Sequence, residues 1–194
     1  MNDARPPDSS DEDLMLRYQS GDAGAFDTLY ARHRVGLHRF IARQCRVNER
    51  IDEIFQDVWM NVIAAAPRYS VQAQFRTWLF TIAHNKLMDY FRANAKAEAR
   101  LYEVKDGEDE VEIAVPGART EEPDVQTESN RARAAILKAL DALPAPQREA
   151  FLLSEEGGMT VAEIAEATGV SHEAAKSRLR YAIAKLREQL RDYQ

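Results

Sequence analysis

The residues best suited to chemistry lie near the C-terminus, in Ser171-His172-Glu173-Ala174-Ala175-Lys176-Ser177-Arg178-Leu179-Arg180-Tyr181. The run mixes hydroxyl, imidazole and carboxylate groups with cations, which is chemistry for hydrogen-bonding base edges and pairing phosphates. At about 100° per residue, Ala175, Leu179, Ala182, Ile183, Leu186 and Leu190 gather on one side of a helix. Ser171, His172, Glu173, Ala174, Ser177, Arg180 and Tyr181 fall at its start or on the opposite side, with Lys176 and Arg178 on the flanks. Side chains at the start of such a helix meet bases, and flanking cations hold the backbone. A solvated helix face would carry the same charges, so what precedes the run decides between the two.

What precedes it is Thr160-Val161-Ala162-Glu163-Ile164-Ala165-Glu166-Ala167-Thr168-Gly169-Val170. Thr160 and Glu163 have capping-box spacing, which predicts a helix from Val161. Gly169 can take the left-handed conformation that stops that helix, and Ser171 can cap the next. Ile164, Val170, Ala175 and Leu179 would hold the two helices together, leaving one face of the second free. This is a helix-turn-helix, and its free helix suits the DNA major groove.

The first half offers a second kind of binding chemistry. Ile51-Asp52-Glu53-Ile54-Phe55-Gln56-Asp57-Val58-Trp59 reads as an amphipathic helix with carboxylates and an aromatic on its outer side. Phe75 to Arg92 mixes Trp78 and other aromatics with Arg76, His84, Asn85 and Lys86. Stacking platforms among cations are what single-stranded nucleic acid requires. Catalytic residues are not evident. Cys45 is alone, and His33, His38, His84 and His172 show no metal-ligand spacing. There is no phosphate-cradling glycine loop or nucleophile elbow. No catalytic centre, metal or cofactor is therefore expected. No apolar run is long enough to enter a membrane and the polar, acidic N-terminus is unlike a secretory signal, so the expected compartment is the cytoplasm.

The 194 residues carry a net charge of −6, which is unexpected for a nucleic-acid binder until it is mapped. Residues 101–130 hold ten acidic and two basic residues, a net of −8, and residues 1–13 have a net of −4. The remainder therefore carries +6. Acidic stretches broken by Pro and Gly, such as 105–110 and 121–124, bury too little apolar surface to fold. The pattern elsewhere is helical throughout: about 11–20, 23–45, 49–65 behind Asn48, 75–100, 130–143, one ending at Leu153, and the helix-turn-helix. The expected fold class is all-α: two small helical domains, 11–97 and 130–194, joined by a flexible acidic linker, 98–129.

Taken in order, helix 51–59, segment 75–92 and a C-terminal helix-turn-helix resemble bacterial RNA polymerase sigma factors. The short chain resembles the extracytoplasmic-function subfamily, which keeps only regions 2 and 4. Leu16-Arg17-Tyr18-Gln19-Ser20-Gly21-Asp22-Ala23-Gly24-Ala25-Phe26 and the Leu143–Phe151 segment also fit that resemblance. It implies that Asp52, Glu53, Gln56, Asp57 and Trp59 dock on the clamp helices of the polymerase β′ subunit, and that the β flap is a further contact. It implies that Arg68–Asn85 captures the non-template strand of the −10 element, with Arg68, Tyr69, Arg76, Trp78, Asn85 and Lys86 as contacts. It implies that residues 171–181 read the −35 element as duplex. Promoter DNA, core polymerase and an anti-sigma factor are the implied partners. His172-Glu173 departs from the small or polar residues more usual at that helix start, leaving −35 specificity open. The competing expectation is a stand-alone helix-turn-helix regulator with a helical sensing domain. The charge map adds one more expectation, a closed free protein in which the acidic linker screens the basic faces.

Overall fold

The computed structural model describes residues 9–45, 48–103 and 128–191. Most of the expected linker lies outside the described residues. Among those described there are eight α-helices, one short 3₁₀ turn and no strand. The first half holds α1 (Asp11–Gln19), α2 (Ala23–Gln44), α3 (Asn48–Ala65) and α4 (Phe75–Glu103). The second holds α5 (Glu128–Asp141), α6 (Ala145–Glu155), α7 (Val161–Thr168) and α8 (His172–Gln189).

Local signals set most helix ends. Ser10 Oγ accepts from Asp13 N at 3.1 Å to start α1, and Asp22 caps α2 after Gly21 turns the chain at φ 101°. Asn48, expected as a cap, is instead the first residue of α3. Pro67 sits in the 3₁₀ turn Ala66–Arg68 that closes α3. The start of α4 is capped from afar: Glu12 Oε1 accepts from Phe75 N at 2.6 Å. Next to it Asp11 takes hydrogen bonds from His33 Nε2 at 2.6 Å and Arg32 Nη1 at 2.7 Å. Burial raises the Asp11 pKa, but these hydrogen bonds and charges outweigh it and hold the carboxyl below its ordinary value.

Phe40, Phe75, Phe80, Leu37, Leu79 and Leu87 fill the first half. Helical periodicity in α4 places Ile82 and Phe91 on the same side as Leu79 and Leu87, yet Ile82 is only half-buried and Phe91 is exposed. The α4 helix has 29 residues against 18 for α3, so its later turns outrun that neighbour.

The helix-turn-helix forms as its sequence predicts. Glu163 N donates to Thr160 Oγ1 at 3.3 Å while Thr160 N donates to Glu163 Oε2 at 2.8 Å. Gly169 is left-handed at φ 66°, and Ser171 Oγ accepts from Ala174 N at 3.2 Å. Ile164 and Ala175 are buried at the crossing, with Val170 and Leu179 half-buried beside them. A separate apolar cluster of Ala139, Leu140, Leu143, Ala182 and Leu186 ties α5 to α8.

The two halves touch. The α2 helix meets α6, and α4 meets α7. The main buried apolar cluster runs from Leu14 through Phe80 to Leu152, Leu153, Met159 and Ile164. The expectation that the acidic linker screens the basic faces falls almost wholly outside the described residues; the contact between the halves seen here is made by the helical bodies.

Candidate nucleic-acid interface

Helix α8 presents the face its periodicity implied. Ser171, His172, Glu173, Lys176, Arg180 and Tyr181 are exposed, while Ala174, Ser177 and Arg178 are half-buried on the way to the core face. Glu173 stands 3.9 Å from His172, and the Arg180 guanidinium lies 5.1 Å from the Tyr181 ring centre. Lys176 stands exposed between these two pairs.

The surface of α3 needs one correction. Asp52, Glu53, Gln56 and Asp57 are exposed as expected, but Trp59 is buried at 5 % exposure. Its ring packs among Phe26, Tyr30 and Phe55, at centroid distances of 5.7, 5.0 and 6.4 Å. Two aromatics of α2 turn it inward, a tertiary demand that α3 alone does not reveal. The apolar residues that do stand on the outer face are Met60, 62 % exposed, and Ile63. Sequence reasoning missed both, although Met60 lies one turn beyond Gln56 on the same helical face. Arg50 pairs with Glu53 at the start of this face. Asp57 reaches Lys86 Nζ at 3.6 Å, which links the acidic face to the residues expected at the −10 element.

Of those residues Arg68, Tyr69, Trp78 and Asn85, but not Lys86, line a cleft of about 790 Å³ between the 3₁₀ turn and α4, with Ser70 and Thr81 among others. Trp78, half-buried, packs tilted against Tyr69 at 5.0 Å and Phe75 at 5.7 Å between ring centres, and also lines the cleft. Tyr69 is more enclosed than expected. Its hydroxyl is buried without a partner, and burial together with Glu12 and Asp11 pushes its pKa up to about 12. Arg68 and Asn85 are exposed. Arg76 is not on the cleft: its Nε and Nη2 donate to the Glu156 carbonyl at 3.1 and 2.6 Å.

The far wall of the cleft comes from α7, through Glu163, Glu166 and Ala167. Thr77 Oγ1 donates to Glu163 Oε1 at 2.7 Å. That hydrogen bond, with those from Thr160, keeps the Glu163 carboxyl below its ordinary pKa despite some burial. Deeper in the seam His84 Nδ1 and Glu149 Oε1 lie 2.7 Å apart, both buried. Among the described residues no cluster of three or more metal-ligating side chains occurs.

Comparison with known proteins decides between the two readings of this architecture. Residues 29–97 match the family profile for sigma-70 region 2, and residues 133–186 match that for sigma-70 region 4. The chain is 32 % identical over 176 residues to the RNA polymerase sigma factor CarQ of Myxococcus xanthus, covering 91 % of this chain and 95 % of that protein. The chain belongs to the extracytoplasmic-function sigma factors. Another relative of this sigma factor, NccH of Alcaligenes xylosoxydans xylosoxydans, is 35 % identical over 180 residues, covering 92 % of this chain and 93 % of its own. Among solved structures, the sigma factor RpoE of Bartonella quintana, crystallised with the anti-sigma factor NepR, matches with a TM-score of 0.58 at 25 % identity, covering 86 % of this chain and 96 % of that one. The CnrH structure, in complex with the cytosolic domain of CnrY, shows the same fold, with a TM-score of 0.63 at 24 % identity over 96 % of this chain and 100 % of that one. Both regions of the sigma factor are therefore present in one chain, in order, and a stand-alone regulator is not favoured.

Proposed function

We propose that this sigma factor binds core RNA polymerase through the outer face of α3 and directs it to two-part promoters. The observation that carries the reading is the pairing of a region 2 match with a region 4 match in one chain, each with its own exposed polar surface. Asp52, Glu53, Gln56 and Asp57, joined by Met60 and Ile63, supply carboxylates and apolar contact for the clamp helices of β′. Arg68, Trp78 and Asn85 line a cleft able to hold an unpaired base of the −10 strand, where stacking and cations act together, and Lys86, next in sequence to Asn85, is the further proposed contact. The exposed start of α8 meets the −35 duplex. An apolar groove of about 300 Å³ lined by Ile136, Leu140, Phe151, Ile183, Leu186 and Leu190 fits an apolar segment of the β flap.

The protein performs no chemistry of its own; the polymerase makes the phosphodiester bonds. Among the described residues no helix is long and apolar enough to cross a membrane, and the proposed work places the protein in the cytoplasm beside its polymerase. An anti-sigma factor, like the one seated on the Bartonella relative, is the proposed antagonist. The deciding experiment is to combine purified protein with core polymerase and genomic templates. Transcripts with discrete 5′ ends support the reading, and their absence with a panel of bacterial core enzymes overturns it.

The roles within α8 can be separated by salt. Lys176→Ala should weaken binding to every −35 sequence alike and reduce the salt slope of holoenzyme binding by about one unit, as loss of one phosphate contact does. Changes at Glu173 or Ser177 should instead alter which sequence is preferred. If Lys176→Ala moved sequence preference and left the slope untouched, the two roles would be exchanged.

A further inference from the structure

Glu156 is the most densely paired carboxylate across the seam, and it sits where its own helix disfavours it. It follows the last turn of α6, its N–H bonded to Leu152 O, so its charge adds to the negative end of the helix dipole. Yet its side chain is only 8 % exposed. What compensates comes from the other half of the protein. Arg39 Nε lies 3.1 Å from both carboxylate oxygens and Arg39 Nη2 2.8 Å from Oε2. Arg43 Nη1 donates to Oε1 at 2.6 Å. Arg76 caps the same helix end through the Glu156 carbonyl. One glycine favours this close approach: a Cβ on Gly158, left-handed at φ 61°, would press to 2.9 Å from Arg76 Nη1.

Two guanidiniums on one carboxylate, with a third on the carbonyl of the same residue, make a cationic surface that suits phosphate, because an arginine fork pairs a carboxylate and a phosphate alike. We propose that Arg39, Arg43 and Arg76 form a DNA-backbone surface on region 2, and that Glu156 of region 4 occupies it as an internal phosphate mimic in the free protein. Glu163 and Glu166 extend the same mimicry over the neighbouring cleft, which binds the −10 strand if the function proposed above is right. DNA and region 4 then compete for one cationic surface. Parting the two halves exposes the arginines and removes the competing carboxylate in a single step.

The test uses the free full-length chain, without polymerase, and a fluorescein-labelled duplex of arbitrary sequence, because phosphate contacts do not depend on sequence. It can therefore fail or succeed independently of promoter-directed transcription. Glu156→Gln should enlarge the radius of gyration in small-angle scattering. It should also tighten duplex binding about tenfold at low salt and steepen the salt slope by about two units. The double variant Arg39→Gln/Arg43→Gln removes the other side of the contact. It should expand the chain in the same way yet leave duplex affinity at or below that of wild type. Equal radii for Glu156→Gln and wild type would overturn the latch. Expansion without tighter binding would overturn the DNA surface. A gain in affinity that persists when Arg39 and Arg43 are also replaced would place the released site elsewhere.

Discussion

Trp59→Ala should destabilise the protein by about 3–5 kcal/mol, the range for emptying a fully packed aromatic site. The indole is held by Phe26, Tyr30 and Phe55, so its removal opens a cavity where α2 and α3 meet. Trp59→Phe should cost only about 1–2 kcal/mol. The indole N–H is buried with no hydrogen-bond partner, so deleting it strands no other group. Urea melts followed by circular dichroism measure both values. The Phe variant should also co-elute with core polymerase as the wild type does, since the ring does not reach the surface. Weakened co-elution of a Phe variant with wild-type stability would return this residue to the polymerase interface.

Asp57→Lys should lower affinity for core polymerase about 100-fold, because like charges set face to face at an interface cost several kcal/mol. The carboxylate is more than half exposed and stands 3.6 Å from Lys86. The reversed charge would repel Lys86 as well as a basic partner. Exposed helix positions rarely carry more than about 0.5 kcal/mol of fold stability, so the melt should hardly move. Asp57→Asn, which removes the charge without reversing it, should fall between the two. Wild-type co-elution of the Lys variant at moderate salt would remove Asp57 from the proposed contact.

Much of this architecture was legible in the sequence where the determinant is local. Thr160 and Glu163 cap each other across three residues, Gly169 supplies the one left-handed turn the motif needs, and Ser171 caps the next helix. Each is settled by neighbours within one turn, and the periodicity of α8 then sets which side chains face out. The misplacements share a different cause. Trp59 is turned inward by two residues of α2, and Tyr69 is closed in beside Phe75 and Trp78. Phe91 stays exposed on the later turns of α4, where no pattern within α4 reports the length of its neighbour. The Glu156 contacts reach across 113 and 117 positions to Arg43 and Arg39. At such separations no local pattern or charge count in the sequence picks out the pairing of single side chains.

The seam between the halves joins two kinds of force that answer to different solution conditions. Its floor is apolar, where Phe80, Leu152, Leu153 and Ile164 belong to one continuous core, and its rim is ionic, around Glu156. Exposing the floor raises heat capacity, so its adhesion weakens on cooling and strengthens in sulfate or other excluded solutes. The rim responds to ionic strength instead, and simple salt loosens it. A chill and a rise in chloride therefore push the same hinge in the same direction. The readiness of this protein to open carries a temperature coefficient set by the area of apolar floor that the two halves share.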